Sequence, residues 1–125
     1  MALSRSIVVA DDNIDNAESL VEWLRIIGYK AEAAFDGAQA VELCTRLRPG
    51  VAILDVQMPV MDGAAAARII RLELDGKIVI ASMSALRADS AHMKEIAHLF
   101  DANLPKPAST ETLRDFLEHS LPTLR

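Results

Sequence analysis

Short apolar runs alternate with helical patterns along the whole chain, and this alternation restricts the fold more than any other feature. The helix predicted after the first run begins near Ile14 and places Ile14 on one apolar face with Val21 and Leu24. A similar pattern follows each later run, so five β-α units are predicted in succession. Parallel strands need a crossover connection, so this order predicts a parallel sheet with helices on both faces. The strand-like runs are Ile7–Ala10, Lys30–Ala34, Val51–Leu54, Ile78–Ala81 and Ala102–Leu104.

The size and composition of the chain agree with a single packed domain. With 125 residues, the chain is long enough for one hydrophobic core and too short for two. Hydrophobic residues make up 51% and aromatic residues only 4%, so the predicted core is aliphatic, as suits helices packed on a parallel sheet. No linker or repeat interrupts the pattern, and residues 1–125 are predicted to form one domain.

Charge and cysteine content indicate which partners and which cellular compartment to expect. The formal net charge of -5 argues against direct binding to nucleic acid, which usually requires a basic surface. The single cysteine, Cys44, has no partner for an internal disulfide and is predicted to be a small buried residue on a helix. No apolar run approaches the roughly 20 residues that span a bilayer, and the first residues lack a signal-peptide pattern. We therefore expect a cytoplasmic protein that does not bind membranes.

Polar residues follow four of the predicted strands. Asp11 and Asp12 come after the first strand and Asp55 after the third, while Ser84 and Lys106 lie just beyond the fourth and fifth. Parallel α/β sheets bind ligands at the carboxyl ends of their strands, so these side chains are predicted to converge at one edge. Taken singly, Asp11 or Asp12 would be read as the N-cap of the next helix, and Lys106 as a solvated surface residue. The shared edge favours a functional site.

Such a cluster suggests phosphoryl chemistry assisted by a metal ion. Three carboxylates close together repel one another unless a cation neutralises them. Mg²⁺ suits this site, because it accepts a few carboxylates, keeps several waters and leaves room for phosphate oxygens. A carboxylate such as Asp55 can itself be a nucleophile and form an aspartyl phosphate. Lys106 would then bring a positive charge to the phosphoryl oxygens, and Ser84 a hydrogen-bond donor.

The motifs resemble those of a response regulator receiver domain of two-component signalling, from Ile7 to about Leu121. The segment 54–63, Leu-Asp-Val-Gln-Met-Pro-Val-Met-Asp-Gly, is similar to the phosphoacceptor stretch of that family. The Asp-Asp pair and a Lys-Pro pair near the end complete the pattern. The resemblance implies a flavodoxin-like (βα)5 three-layer sandwich, of class α/β, with a five-stranded parallel sheet in the order 2-1-3-4-5. It also implies that Asp55 is the phosphoacceptor.

The same resemblance implies a set of metal ligands. Asp12 would bind Mg²⁺ directly, and Asp11 mainly through water. Asp55 and the main-chain carbonyl of Gln57 would complete the protein ligands.

Around the phosphoryl group, the resemblance implies roles for Ser84 and Lys106 and a cis peptide between Lys106 and Pro107. The sequence departs from the family at two positions nearby. Asn103 stands where receivers commonly carry Tyr or Phe, and Leu99 stands where they favour Gly. The chemistry is expected to survive, whereas the coupling of phosphorylation to the surface is expected to differ.

The resemblance further implies a histidine kinase or histidine phosphotransfer protein as the donor and an effector protein as the target. Its only catalysis would be self-phosphorylation and autodephosphorylation. A degenerate receiver that acts as a phosphorylation-independent binding scaffold is the main alternative. A phosphatase is disfavoured, because such enzymes usually carry an acid/base Asp where Gln57 stands. No effector domain follows Arg125, so either a stand-alone regulator or an excised domain is expected, with dimerisation through the last two helices left open.

Overall fold

The computed structural model describes residues 4–87 and 89–121, so both ends of the predicted 1–125 domain lie outside the described residues. The strands are β1 (Ser6–Ala10), β2 (Lys30–Ala34), β3 (Val51–Asp55), β4 (Val79–Ser84) and β5 (Ala102–Pro105). The helices are α1 (Ile14–Ile26), α2 (Gly37–Leu47), α3 (Gly63–Glu73), α4 (Ala91–Ile96) and α5 (Thr110–Ser120). All strand pairs are parallel and their order is β2-β1-β3-β4-β5, which confirms the predicted topology.

Two hydrophobic clusters lie on opposite faces of the sheet. Val8, Leu54 and Ile80 lie on the face of the sheet covered by α2, α3 and α4. They belong to one cluster with Ile70 of α3. Their strand neighbours, such as Val9 and Ile53, face α1 and α5. Side chains alternate across a strand, and here both faces are covered, so continuous apolar strands such as β3 are buried at every residue. The three-layer arrangement is confirmed.

Each α-helix begins with a side chain that caps its first turn. In every case the side-chain oxygen accepts a hydrogen bond from the backbone N–H three residues later, which satisfies a donor that the helix leaves free. The capping residues are Asn13, Asp36, Asp62, Ser90 and Ser109. Because Asn13 caps α1, the alternative reading of Asp11 or Asp12 as its N-cap is wrong.

Several predicted boundaries need correction. The strand expected over Ile78–Ala81 is β4, which runs to Ser84, so Ser84 lies on the strand and not beyond it. The pattern hides this because residues 82 and 84 are polar, although both are buried. The helical segment after β4 is α4 followed directly by a 3-10 helix, Ala97–Leu99.

Ile14, expected on the buried face of α1, is 52% exposed. It is the first helical residue, past the end of β1, whereas Val21 and Leu24 lie over the sheet. Cys44 is fully buried on α2 as predicted, and burial raises the pKa of its thiol to about 12. Among residues 4–87 and 89–121, no helix combines the length and apolar character needed to cross a bilayer.

Candidate functional site

One ammonium group joins two of the predicted carboxylates at the carboxyl edge of the sheet. Lys106 Nζ donates to Asp11 Oδ2 at 2.9 Å and to Asp55 Oδ2 at 3.1 Å. These residues follow or end β1, β3 and β5, so three strands that end at the same edge of one parallel sheet bring together positions far apart in the chain. In the structure the three side chains meet, as the sequence predicts.

The two carboxylates are poorly exposed. Asp11 is 5% exposed and Asp55 is 7% exposed, while the side chain of Lys106 keeps 24% exposure. Burial raises the pKa of the Asp55 carboxyl above its usual value, and the hydrogen bond from Lys106 opposes this only in part. Burial lowers the pKa of Lys106, but its hydrogen bonds to Asp11 and Asp55 outweigh that effect and leave it raised. The site therefore holds buried negative charge that one lysine does not fully compensate.

Asp12 supplies a third carboxylate to the same cluster. It is exposed, and one oxygen from each of Asp11, Asp12 and Asp55 lies within 4.8 Å of the others. Three carboxylates facing one ammonium leave a net negative charge, and the oxygen ligands are those that hard divalent cations prefer. The residues present therefore fit Mg²⁺.

The loop after β3 is held against Asp55 by backbone contacts. Gln57 N donates to Asp55 Oδ1 at 3.2 Å, and Gly63 N donates to Val56 O at 3.0 Å. A Cβ at Gly63 would lie 2.4 Å from the main-chain oxygen of Asp55, so only glycine fits there. Val60, 84% exposed, has a φ of 68°, a left-handed conformation that is strained for a β-branched residue. The loop follows a tight path that fixes the position of Asp55.

Ser84 ends β4 beside this cluster and is 4% exposed. Its Oγ accepts a hydrogen bond from Leu86 N at 2.9 Å, while its main-chain oxygen accepts one from Lys106 N at 2.9 Å. Within the described residues its hydroxyl forms no hydrogen bond with the Lys106 ammonium or with Asp55. The peptide between Lys106 and Pro107 is cis, as the resemblance implies.

A polar contact near the site was missed by sequence reasoning. Ser82 is fully buried, and its Oγ donates to Asn103 Oδ1 at 2.6 Å. Asn103 Nδ2 in turn donates to Ala97 O at 3.5 Å, a weak contact. The two side chains meet because Ser82 and Asn103 are paired in the register of β4 and β5, information that only the sheet supplies.

Known proteins are similar to this chain in both sequence and fold. The family model of the response regulator receiver domain matches residues 7–118. The transcriptional regulatory protein PrrA of Mycobacterium leprae is 35% identical over 82 residues, which are 66% of this chain and 35% of PrrA. The response regulator MprA of Mycobacterium ulcerans is 35% identical over 111 residues, or 89% of this chain and 47% of MprA. The chain thus spans less than half the length of these curated relatives.

Among solved structures, the receiver domain of the sensor histidine kinase PA1611 from Pseudomonas aeruginosa has a TM-score of 0.85 and 27% sequence identity. The match covers 96% of this chain and 99% of that one. That structure contains a magnesium ion coordinated in its active-site cleft.

Proposed function

This chain belongs to the response regulator receiver family, and we propose on that basis that it is a phosphorylation-dependent signalling switch with Asp55 as the phosphoacceptor. Receiver domains of this family are regulatory modules and not enzymes that turn over an external substrate. The observation that carries the proposal is the buried Asp55 carboxylate, held by Lys106 and by the backbone of Gln57 at the carboxyl edge of the sheet.

The proposed reaction transfers a phosphoryl group from a phosphohistidine. An oxygen of the Asp55 carboxylate forms a bond to phosphorus while the bond between phosphorus and the histidine nitrogen breaks, and the electron pair returns to the imidazole ring. Lys106, which already lies 3.1 Å from Asp55 Oδ2, would bind an oxygen of the transferred group. The hydroxyl of Ser84 accepts from Leu86 N, so its own proton remains available to a phosphoryl oxygen.

We assign the metal ligands to Asp11, Asp12, Asp55 and the main-chain carbonyl of Gln57. Mg²⁺ bound there would neutralise negative charge on the phosphoryl oxygens. Lys106 holds Asp11 and Asp55 in place, and an oxygen of the exposed Asp12 lies within 4.8 Å of an oxygen of each, which supports this assignment.

The proposed donor is a histidine kinase or a histidine phosphotransfer protein, and the proposed target is an effector protein, with all of them in the cytoplasm. Phosphorylation would bias the domain between two conformations with different partner-binding surfaces. The pairing of Asn103 with Ser82 supports a second candidate, a scaffold that binds partners without phosphorylation, because a polar contact holds position 103, where the family resemblance implies an aromatic ring.

Mass spectrometry tests the proposal. The protein is incubated with Mg²⁺ and acetyl phosphate, and its intact mass is compared with that of Asp55→Asn and of Asp75→Asn, an exposed residue away from the cluster. We expect a phosphoryl adduct in the wild type and in Asp75→Asn, and none in Asp55→Asn or in the presence of a chelator. A folded wild-type domain that neither gains an adduct nor binds beryllofluoride would favour the scaffold.

A further inference from the structure

Helix α3 contacts the candidate site at its first residue and the start of β5 through its last turn. Gly63 N donates to Val56 O at 3.0 Å, and a Cβ at Gly63 would lie 2.4 Å from Asp55 O. Arg71 lies in the last turn, about 12 Å further along the helix axis at roughly 1.5 Å per residue. A shift of α3 along its axis would therefore change contacts at both places.

The guanidinium group of Arg71 joins α3 to the connection between the 3-10 helix and β5. Its Nη2 donates to Leu99 O at 2.9 Å and to Asp101 Oδ2 at 3.1 Å. The same carboxylate oxygen accepts a hydrogen bond from Ile80 N at 2.8 Å, and Asp101 N donates to Ile80 O at 2.7 Å. Asp101 is thus held by β4, and Arg71 ties α3 to that fixed point and to Leu99.

A polar contact from β5 to the same 3-10 helix is weaker. Asn103 Nδ2 donates to Ala97 O at 3.5 Å, a distance at which a hydrogen bond contributes little. The contact between Arg71 and Leu99 O is shorter, so α3 holds this segment more firmly by polar contacts than residue 103 does.

Leu72 and Leu99 form an apolar surface around the Arg71 contact. They line a groove together with Ala67 and Arg68. Leu72 is 77% exposed, and Leu99 is partly buried against the hydrophobic cluster of that face. The family resemblance implies Gly at position 99, which would place no side chain there. Leu99 therefore gives this chain an apolar surface whose backbone Arg71 holds in place.

We propose that Arg71 is a positioning residue that couples phosphorylation of Asp55 to the position of Leu99 on this surface. The inference rests on the proposed function of Asp55. Gln57 N donates to Asp55 Oδ1 at 3.2 Å, and conversion of the carboxylate into an acyl phosphate removes the charge that strengthens this hydrogen bond. The weakened contact releases the start of the loop that ends at Gly63, so the loop and α3 can shift together.

The packing of α3 allows such a shift at low cost. Four of its five buried residues are glycine or alanine, whose short side chains interlock little with the elements below. Small sliding movements of packed helices are a common form of conformational change. The side chains of Arg71 and Asp101 are 33% and 46% exposed, so water can replace their contact. Phosphorylation would therefore open the Arg71 contact and release Leu99 O.

Amide NMR spectra recorded with Mg²⁺ and beryllofluoride, which mimics the phosphoryl group, test this inference. The signal of Gln57 reports binding at Asp55. The signal of Phe100 reports the contact between Arg71 and Leu99, because its nitrogen is bonded to the Leu99 carbonyl carbon. In the wild type we expect both signals to shift on addition of beryllofluoride. In Arg71→Leu the Gln57 signal should shift and the Phe100 signal should not respond.

The affinity for beryllofluoride gives a second readout, which a purely structural role of Arg71 would not move. Coupling between two sites is reciprocal, so loss of a contact that holds the unphosphorylated state should tighten beryllofluoride binding by about fivefold. Arg68 is exposed on the same helix, and its side chain makes no hydrogen bond in the described part of the chain, so Arg68→Leu should behave as the wild type. Arg71→Lys keeps the positive charge and should show the same changes to a smaller extent. It serves as the comparison if Arg71→Leu fails to fold.

Two results would overturn this inference alone. The first is a wild-type spectrum in which beryllofluoride shifts Gln57 but not Phe100. The second is a folded Arg71→Leu that either keeps the wild-type shift of Phe100 or binds beryllofluoride no more tightly than the wild type. A wild type in which beryllofluoride does not shift Gln57 would refute the phosphoacceptor proposal, and this inference with it.

Discussion

Replacing Lys106 by Met should destabilise the metal-free protein by about 2 to 3 kcal/mol. Met keeps an apolar stem of similar length but removes the ammonium that lies 2.9 Å from Asp11 and 3.1 Å from Asp55. At an effective dielectric constant of about 20, each contact corresponds to roughly 5 kcal/mol of gross attraction, most of which the desolvation of the three groups offsets. Removing one partner of a fully buried pair costs about 3 to 5 kcal/mol. We expect less here, because the side chain of Lys106 is 24% exposed and water can reach the carboxylates.

Urea unfolding followed by circular dichroism measures this loss, in chelator and again with Mg²⁺. For a domain of this size, the expected loss lowers the melting temperature by about 10 °C. Mg²⁺ should stabilise Lys106→Met more than the wild type, since the ion supplies the missing positive charge. Lys77→Met, at an exposed position, is the matched control. If Lys106→Met were no less stable than this control, or if Mg²⁺ stabilised both proteins equally, the reasoning about uncompensated buried charge would be refuted.

Three other substitutions test the site and its loop through urea midpoints. Asp55→Asn should raise the free energy of unfolding in metal-free buffer at neutral pH. Burial raises the folded-state pKa of Asp55 above its unfolded-state pKa. The stabilisation that the protonated carboxyl contributes is therefore lost as pH rises from the unfolded-state pKa through the folded-state pKa. The gain should therefore be absent in acid, and a gain independent of pH would contradict this. Gly63→Ala should lower the free energy of unfolding by about 2 kcal/mol or more and slow phosphorylation, because its Cβ would lie 2.4 Å from a main-chain oxygen. Val60→Asn should raise it by about 0.5 to 1 kcal/mol, because Asn tolerates a φ of 68° and Val60 is 84% exposed; a lower midpoint would refute this.

The sequence predicted the architecture and the core of the site for one physical reason. Parallel strands end at the same edge, so strand order alone brings Asp11, Asp55 and Lys106 together. The apolar runs of β1 and β3 made those ends easy to locate, because strands covered on both faces carry few polar residues.

Details that depend on side chains meeting across elements were not predictable in the same way. In the sequence, the polar Ser82 looks like the point where the fourth strand ends. Its burial within the strand depends on a partner, Asn103, 21 positions away. The prediction for Ile14 is wrong because helical periodicity does not tell where the sheet beneath a helix ends.

The hydrogen bond between Arg5 and Leu121 has a consequence for how the domain can be attached to other polypeptides. The two described ends of the domain are joined by one arginine side chain, at the end of the sheet opposite Asp55. A flanking segment that continues from either described end would begin at that end of the sheet, away from the proposed phosphoacceptor. Two flanking segments would leave side by side, which means that the domain can be inserted into a longer protein as a side branch without forcing the segments around it apart.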